Sequence, residues 1–242
     1  VVAPLLVLFY YAFTNGSGQF TLSNFTGFFT DPNAMGTLFY SFAVAVVTTL
    51  VCLLLAYPIA CILAFSKLKA KSALVMIFVL PMWINFSLRI TALKEILTLF
   101  EGNLAMYPFF NAVVGMTYDF LPFMILPIYT TVSRLDGALR EAAMDLGANE
   151  VQTFLRVTLP LSVPGIMSGI SMVFLPAMTN YVVLDMLYNS TYIMGSLIGS
   201  YFSAYNWNGG SMIALILLGI ICLFTLLTDG GDESTSRGGA LL

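Results

Sequence analysis

Charged side chains are scarce in this sequence, and the densest group of them is spaced for docking rather than for bond-making. Arg140, Glu141, Asp145, Glu150 and Arg156 fall within one segment, Arg140 to Pro160, which lies between two long apolar runs. Within it stand Glu141-Ala142-Ala143, three residues, Gly147, nine residues, Val157, one residue, and Leu159-Pro160. Two consecutive alanines give a helix face with so little bulk that another protein's backbone can come close. Gly147 can adopt the left-handed conformation that ends a helix, so that two short helices meet there at an angle. Arg140, Glu141, Asp145 and Glu150 can pair with charges on a partner's rim and fix its register. Pro160 is expected to stop the second helix. Residue types alone equally allow an amphipathic surface helix that does no more than join two spans.

Catalytic chemistry has few carriers. Histidine is absent, which removes the commonest general base and metal ligand. Cys52, Cys61 and Cys222 lie far apart inside apolar runs; they read as small packed or lipid-facing hydrophobes, and no metal site is expected. No Gly-x4-Gly-Lys-Ser/Thr stretch is available to cradle phosphates, and no nucleophile–base motif is present, so the chain is expected not to be an enzyme. Two acids stand in or beside apolar runs: Asp119, between Tyr118 and Phe120, and Asp185, beside Tyr181 and Tyr188. An ionisable group in lipid is costly and is a functional candidate by default. The plain alternative for Asp119 is a hydrogen bond to a partner subunit or to backbone freed by Pro122. For Asp185 it is an interfacial acid facing water. A proton-coupled secondary transporter would use either acid as its proton site, but that class predicts inverted internal repeats, which the sequence does not show.

The elements that must position these residues follow from composition. Of the 242 residues 59% are hydrophobic and 9% charged, against roughly 25% charged in a soluble domain. The solvent is therefore a lipid bilayer, in which long apolar runs must be helices because every backbone N–H and C=O needs an internal partner. The expected fold is an all-α polytopic membrane protein with six transmembrane helices over residues 1–228, at about 1–13, 38–65, 72–88, 107–132, 161–184 and 211–227. The first run would be roughly 20 Å long as a helix, short of the roughly 30 Å hydrocarbon core; we read it as an N-terminally truncated span. Arg89, Lys94, Glu95 and Glu101 mark an amphipathic stretch expected at the membrane interface, and residues 133–160 form the charged loop. The connection 185–210 is expected to hold a partly inserted helix around Met194–Phe202. Pro58, Pro81, Pro122, Pro127, Pro164 and Pro176 fall inside spans, where they favour kinks. Residues 229–242, rich in Gly, Ser and acids, read as a disordered tail. Lys67, Lys69, Lys71, Arg134, Arg140, Arg156 and Arg237 fall on one side of this arrangement and Arg89 and Lys94 on the other. Seven against two places the charged loop and both termini in the cytoplasm. A net charge of -3 gives no reason to invoke nucleic acid.

The spacing in 141–160 resembles the EAA loop of bacterial ABC-importer permeases, Glu-Ala-Ala-x3-Gly-x9-Ile-x-Leu-Pro, with Val157 where Ile is usual. The likeness extends over nearly the whole chain. Pro81-Met82-Trp83 with Asn85 and Arg89-Ile90, Leu121-Pro122-Phe123-Met124 with Pro127, Asp145-Leu146-Gly147-Ala148, Gln152-Thr153-Phe154 and Leu175-Pro176-Ala177-Met178 are similar to the spermidine/putrescine permeases of the B type. The tail and the N-terminal part expected to be missing fall outside it. The resemblance implies a type I ABC importer permease in the bacterial plasma membrane. Its implied partners are a second, C-type permease, an ATPase dimer and an extracytoplasmic solute-binding protein that delivers polyamine. ATP and Mg would be bound by the partner ATPase, and this chain would hold no cofactor. Arg140, Glu141, Ala142, Ala143, Asp145, Gly147, Leu159 and Pro160 would form the loop that docks in a groove of that ATPase. A polyamine is a flexible polycation whose path calls for carboxylates and aromatic faces, which singles out Asp185, Asp119, Tyr181, Tyr188 and Trp83, with Tyr192 nearby. Interfacial aromatics also serve simply as membrane anchors. The same machinery carrying another organic solute or iron is the alternative reading.

Overall fold

The computed structural model describes residues 2–66, 71–188 and 193–236, with backbone alone at 71–72 and 227–236. The described residues are mostly helical, the form in which a segment pairs its own backbone polar groups, as a lipid solvent demands. In order these are α1 (Val2–Ala12), α2 (Ser23–Thr30), α3 (Pro32–Phe65), α4 (Lys71–Val79), α5 (Phe86–Glu101), α6 (Pro108–Val132), α7 (Gly137–Asp145), α8 (Glu150–Thr153), α9 (Leu159–Thr179), α10 (Tyr181–Leu187), α11 (Met194–Ser203) and α12 (Trp207–Ser236). Among the described residues the β structure is one isolated bridge, between Thr14 and Phe20.

Four helices are long and apolar enough to cross a bilayer: Pro32–Phe65, Pro108–Val132, Glu150–Thr179 and Trp207–Leu226. A fifth crossing is available from Ala73–Trp83 and Phe86–Glu101, which are bent by 97° at their junction. α1 is apolar but has only 11 residues. The third expected span, 72–88, is therefore not one straight helix. Pro81 lies in a tight 3-10 turn, Leu80–Trp83, after which Ile84 is extended. Asn85 then restarts the chain as a helix, its side chain accepting a hydrogen bond from the Ser87 N–H at 2.9 Å.

Three further expectations are corrected. Pro160 does not stop a helix: α8 and α9 join through a π-helical turn, Phe154–Thr158, into one helix from Glu150 to Thr179. The Leu159 N–H reaches back five residues to the Phe154 carbonyl, a wider turn that moves carbonyls out of the register a proline ring would strike. The fifth span does not run on to 184, because Asn180 interrupts it and Tyr181–Leu187 form a separate helix. The tail expected to be disordered from 229 continues α12 as far as Ser236, since extending a formed helix costs far less than starting one. Residues 237–242 lie outside the described ones. The helix expected around Met194–Phe202 is α11.

The chain forms two compact units. The first comprises Val1–Val46 and Leu175–Leu242. Here the carbonyls left open at the C-terminal end of α1 are met by two amides: Asn208 Nδ2 donates to Tyr11 O at 3.0 Å and Thr14 O at 2.6 Å, and Asn24 Nδ2 to Ala12 O and Thr14 O, both at 3.0 Å. The Met194 N–H donates to the buried Ser41 Oγ at 2.9 Å, which fixes the start of α11 against α3.

The second unit, Val47–Phe174, holds the charged loop. Its core is where α6 meets α9: a Cβ at Gly165 would lie 2.7 Å from Thr131 Cβ and 2.8 Å from the Pro127 carbonyl oxygen, and one at Gly169 would lie 2.6 Å from Met124 Sδ. Small residues bring helix backbones together in lipid, where packing replaces the hydrophobic effect as the driving force. α3 joins the same unit through Cys52, whose thiol faces the Thr117 carbonyl at 3.8 Å, and through Tyr57, whose hydroxyl shares a 2.8 Å hydrogen bond with Ser162.

Candidate functional site

The charged loop is built as two capped helices joined by a tight turn. Asp136 starts α7, its carboxylate accepting the Ala138 N–H at 3.0 Å. α7 ends as its sequence suggests: Gly147 has φ +87°, its N–H donates to the Met144 carbonyl at 2.9 Å, and the Ala148 N–H donates to the Ala143 carbonyl at 3.1 Å. This is the Schellman arrangement, which satisfies the last carbonyls of a helix and needs a residue at ease with positive φ. Asn149 opens the next helix with a capping box. Its side chain accepts the Gln152 N–H at 2.8 Å while Gln152 Oε1 accepts the Asn149 N–H at 3.1 Å. Every turn of the loop is thus fixed by its own residues, and the segment can present a defined surface without help from a partner.

The residues singled out from the sequence differ in exposure. Glu141, Ala142, Asp145 and Gly147 are exposed, and Ala143 is half-buried. Leu159 is half-buried and Pro160 exposed at the start of α9. Arg140 departs from the expectation of a rim charge. It turns inward, half-buried, with its guanidinium carbon 4.1 Å from the centre of the Phe65 ring. Arg140 and Glu150 flank a groove of about 440 Å³ whose walls are otherwise mostly apolar: Ile62, Phe65, Val151 and Phe154. Sequence reasoning passed over Leu146, which is 90% exposed at the tip of the turn. The available signal was its place between Asp145 and Gly147, where a turn leaves no core for it to enter.

The residues proposed for a substrate path divide between the units. In the first, Tyr181 and Asp185 are exposed one turn apart on α10, and Tyr188, half-buried, caps that helix; Tyr192 lies outside the described residues. In the second, Trp83 is 86% exposed at the bend after α4. Asp119 is buried in α6 and paired with Arg89 of α5, Nη2 to Oδ1 at 2.9 Å, with side-chain exposures of 7% and 8%. Neither reading of Asp119 from sequence named this partner. Arg89 is likewise buried inside the unit, with its Nε and Nη1 lacking hydrogen-bond partners among the described residues. Among those residues no three His, Cys, Asp or Glu side chains gather where they could hold a metal.

Comparison with known proteins gives a consistent result. Residues 56–232 match the model of a family described as binding-protein-dependent transport system inner membrane component. The chain is 34% identical over 224 residues to the spermidine/putrescine transport system permease protein PotB of Escherichia coli (strain K12), covering 86% of this chain and 81% of that protein. It is 34% identical to PotB of Haemophilus influenzae, covering 98% of this chain and 90% of that protein. Among solved structures, a bacterial ABC transporter involved in the import of the acidic polysaccharide alginate has a chain that superposes with a TM-score of 0.75 at 14% identity, over 97% of this chain and 90% of the other. A second structure, the bacterial alginate ABC transporter in complex with alginate pentasaccharide-bound periplasmic protein, also gives 0.75, at 12% identity.

Proposed function

Since the chain belongs to the family of binding-protein-dependent transport system inner membrane components, we propose that it is the membrane-spanning permease subunit of an ATP-driven polyamine importer. It is a multi-pass inner-membrane transport subunit and not an enzyme. In this reading an extracytoplasmic binding protein delivers spermidine or putrescine, a second permease of the C type completes the path, and a dimeric ATPase that binds ATP and Mg drives the cycle. Residues 137–160 lie in the cytoplasm and dock on that ATPase. The observation that carries the coupling role is the loop's construction. Glu141, Ala142 and Asp145 on α7 and Gly147 in the turn after it are exposed, and α7 and α8, each started by a side-chain cap, are joined through that glycine at positive φ.

The cargo rests on a different support. The fold is shared with importers of an acidic polysaccharide, so it does not select the charge of what is carried. Polyamine follows instead from 34% identity to permeases named for spermidine and putrescine. Asp185 with Tyr181 and Tyr188, together with Trp83, offers the carboxylate and aromatic faces an alkylammonium needs. Asp119 can contribute only where Arg89 gives it up. Reconstitution in proteoliposomes tests the whole reading: labelled spermidine or putrescine should enter only when ATP, the ATPase, the second permease and the binding protein are all present. Uptake by this chain alone, driven by a pH gradient, would overturn it. Uptake of a different solute under the same requirements would overturn the cargo and leave the machinery.

A further inference from the structure

Tyr57, Cys61 and Phe65 recur every fourth residue and so lie along one face of α3. All three meet the loop or the helix into which it leads. The Phe65 ring lies beneath the Arg140 guanidinium at 4.1 Å. Cys61 lines the groove that Arg140, Glu150 and Phe154 also line. Tyr57 meets the Phe154 ring edge-on, with centroids 5.6 Å apart and planes at 79°, and its buried hydroxyl bonds Ser162. We propose that this stripe is the joint through which the loop moves α3, and that Arg140 is a positioning residue clamping α7 to Phe65 rather than a contact to the ATPase. The proposal rests on the coupling role assigned to residues 137–160 above.

The covalent route from α7 into the membrane is poorly suited to transmit a push. It passes through the turn at Gly147 and then the π turn at 154–158, two places where helical hydrogen bonding is interrupted or widened and a displacement can be absorbed. The Arg140 stack bypasses both. It ties the first turn of α7 directly to the last turn of α3, a helix of 34 residues that carries Pro58 between Tyr57 and Cys61 without a break. A guanidinium suits this place because it is planar and weakly hydrated and can lie over a ring face while keeping its charge. A lysine would keep the charge and lose the plane. Glu141, next in sequence, faces outward, so adjacent residues divide the work: one holds α3 and the other is open to the partner.

The test uses the complete complex, with both permeases, the ATPase and the binding protein, in lipid nanodiscs and in proteoliposomes. The variants are Arg140→Gln, Arg140→Lys, Phe65→Leu, Phe65→Tyr and the double Arg140→Gln/Phe65→Leu. All should copurify with the ATPase as the wild type does. Binding-protein-stimulated ATP hydrolysis and uptake should fall on the order of tenfold in Arg140→Gln and Phe65→Leu, less in Arg140→Lys, and little in Phe65→Tyr. The double variant should be no worse than either single one, as two halves of one contact require. Loss of copurification in Arg140→Gln but not Phe65→Leu would overturn the proposal by showing that Arg140 touches the ATPase. Wild-type stimulation in Phe65→Leu would overturn it by showing that the stack transmits nothing. Should the complex carry a cargo other than polyamine, polyamine uptake would be absent from the wild type too, while copurification and stimulated hydrolysis would still read the joint.

Discussion

Among the described residues, Arg89 and Asp119 are two charges taken out of solvent together, at 2.9 Å and with side chains 8% and 7% exposed. Removing one partner of a buried pair strands the other and costs about 3–5 kcal/mol, whereas replacing both with apolar groups is often close to neutral. Arg89→Leu or Asp119→Leu should therefore lower the thermal stability of the purified complex markedly. Arg89→Met/Asp119→Leu should recover most of it, the more so because two guanidinium nitrogens already lack partners. Equal loss in the double variant would show that the pair specifies the packing of α5 on α6. The pairing was not legible in the sequence: thirty residues separate the partners, and helical period does not say which faces of two helices meet. Leu146 and Gly147 belong to the same scale. A side chain 90% exposed on a surface proposed for docking is free to enter a partner's pocket, and a residue seated so at the centre of an interface costs about 2 kcal/mol or more of binding to truncate, where most interface residues cost under about 1 kcal/mol. Leu146→Ala should thus weaken copurification with the ATPase without altering the stability of the permease. Gly147→Ala should lose roughly 1–2 kcal/mol through its φ of +87° alone, because nothing lies within 4 Å of an added Cβ.

Helices and turns were legible where the signal is local. Gly147 carries its turn chemistry in its own residue type, and the structure uses it as the spacing suggests; the Asn149/Gln152 box is equally local but was not named from the sequence. Asn85 carried a similar local signal two residues before Ser87, but the apolar run around it concealed the bend. Pro160 misled because a proline is a breaker only in the four-residue register, and the π turn ahead of it changes the register. Restoring an N–H with Pro160→Ala removes the reason for the wider turn. If the turn relaxes to α-helix, one residue of offset disappears and α8 rotates by about 100° relative to α9. Ile62 and Val151 line the same groove, so cysteines placed at both, with the native cysteines replaced by serine, should be joined by a short bismaleimide in the parent. Pro160→Ala should abolish that cross-link and reduce coupled uptake together. A retained cross-link would mean that packing against Tyr57, not the proline, holds the π turn.

At the scale of the whole chain, the side on which the loop lies turns on how many times the chain crosses. α3 ends at Phe65, next to Lys67, Lys69 and Lys71, and α6 ends at Val132, next to Arg134 and Arg140. Both ends can share the cytoplasmic side, as the excess of basic residues requires, only if an even number of crossings separates them. α6 is one. In the proposed topology the bent pair Ala73–Trp83 and Phe86–Glu101 is the other, a broken span rather than a re-entrant loop. In the same topology α9 would lead outward from the loop and α12 back, with residue 236 in the cytoplasm. α1, with 11 residues, supplies about 16 Å of a hydrocarbon core of roughly 30 Å and would be the sixth crossing. Reporter fusions check each step. A fluorescent protein should fluoresce when joined within 133–136 or after Ser236, and alkaline phosphatase should be active when joined at Gly16–Ser17 or Gly102–Asn103. Phosphatase silent at Gly102–Asn103 but active at 133–136 would make the bent pair re-entrant. The loop would then lie outside, where no ATPase could reach it, and the coupling role of Glu141 and Gly147 would fall with the topology that supports it.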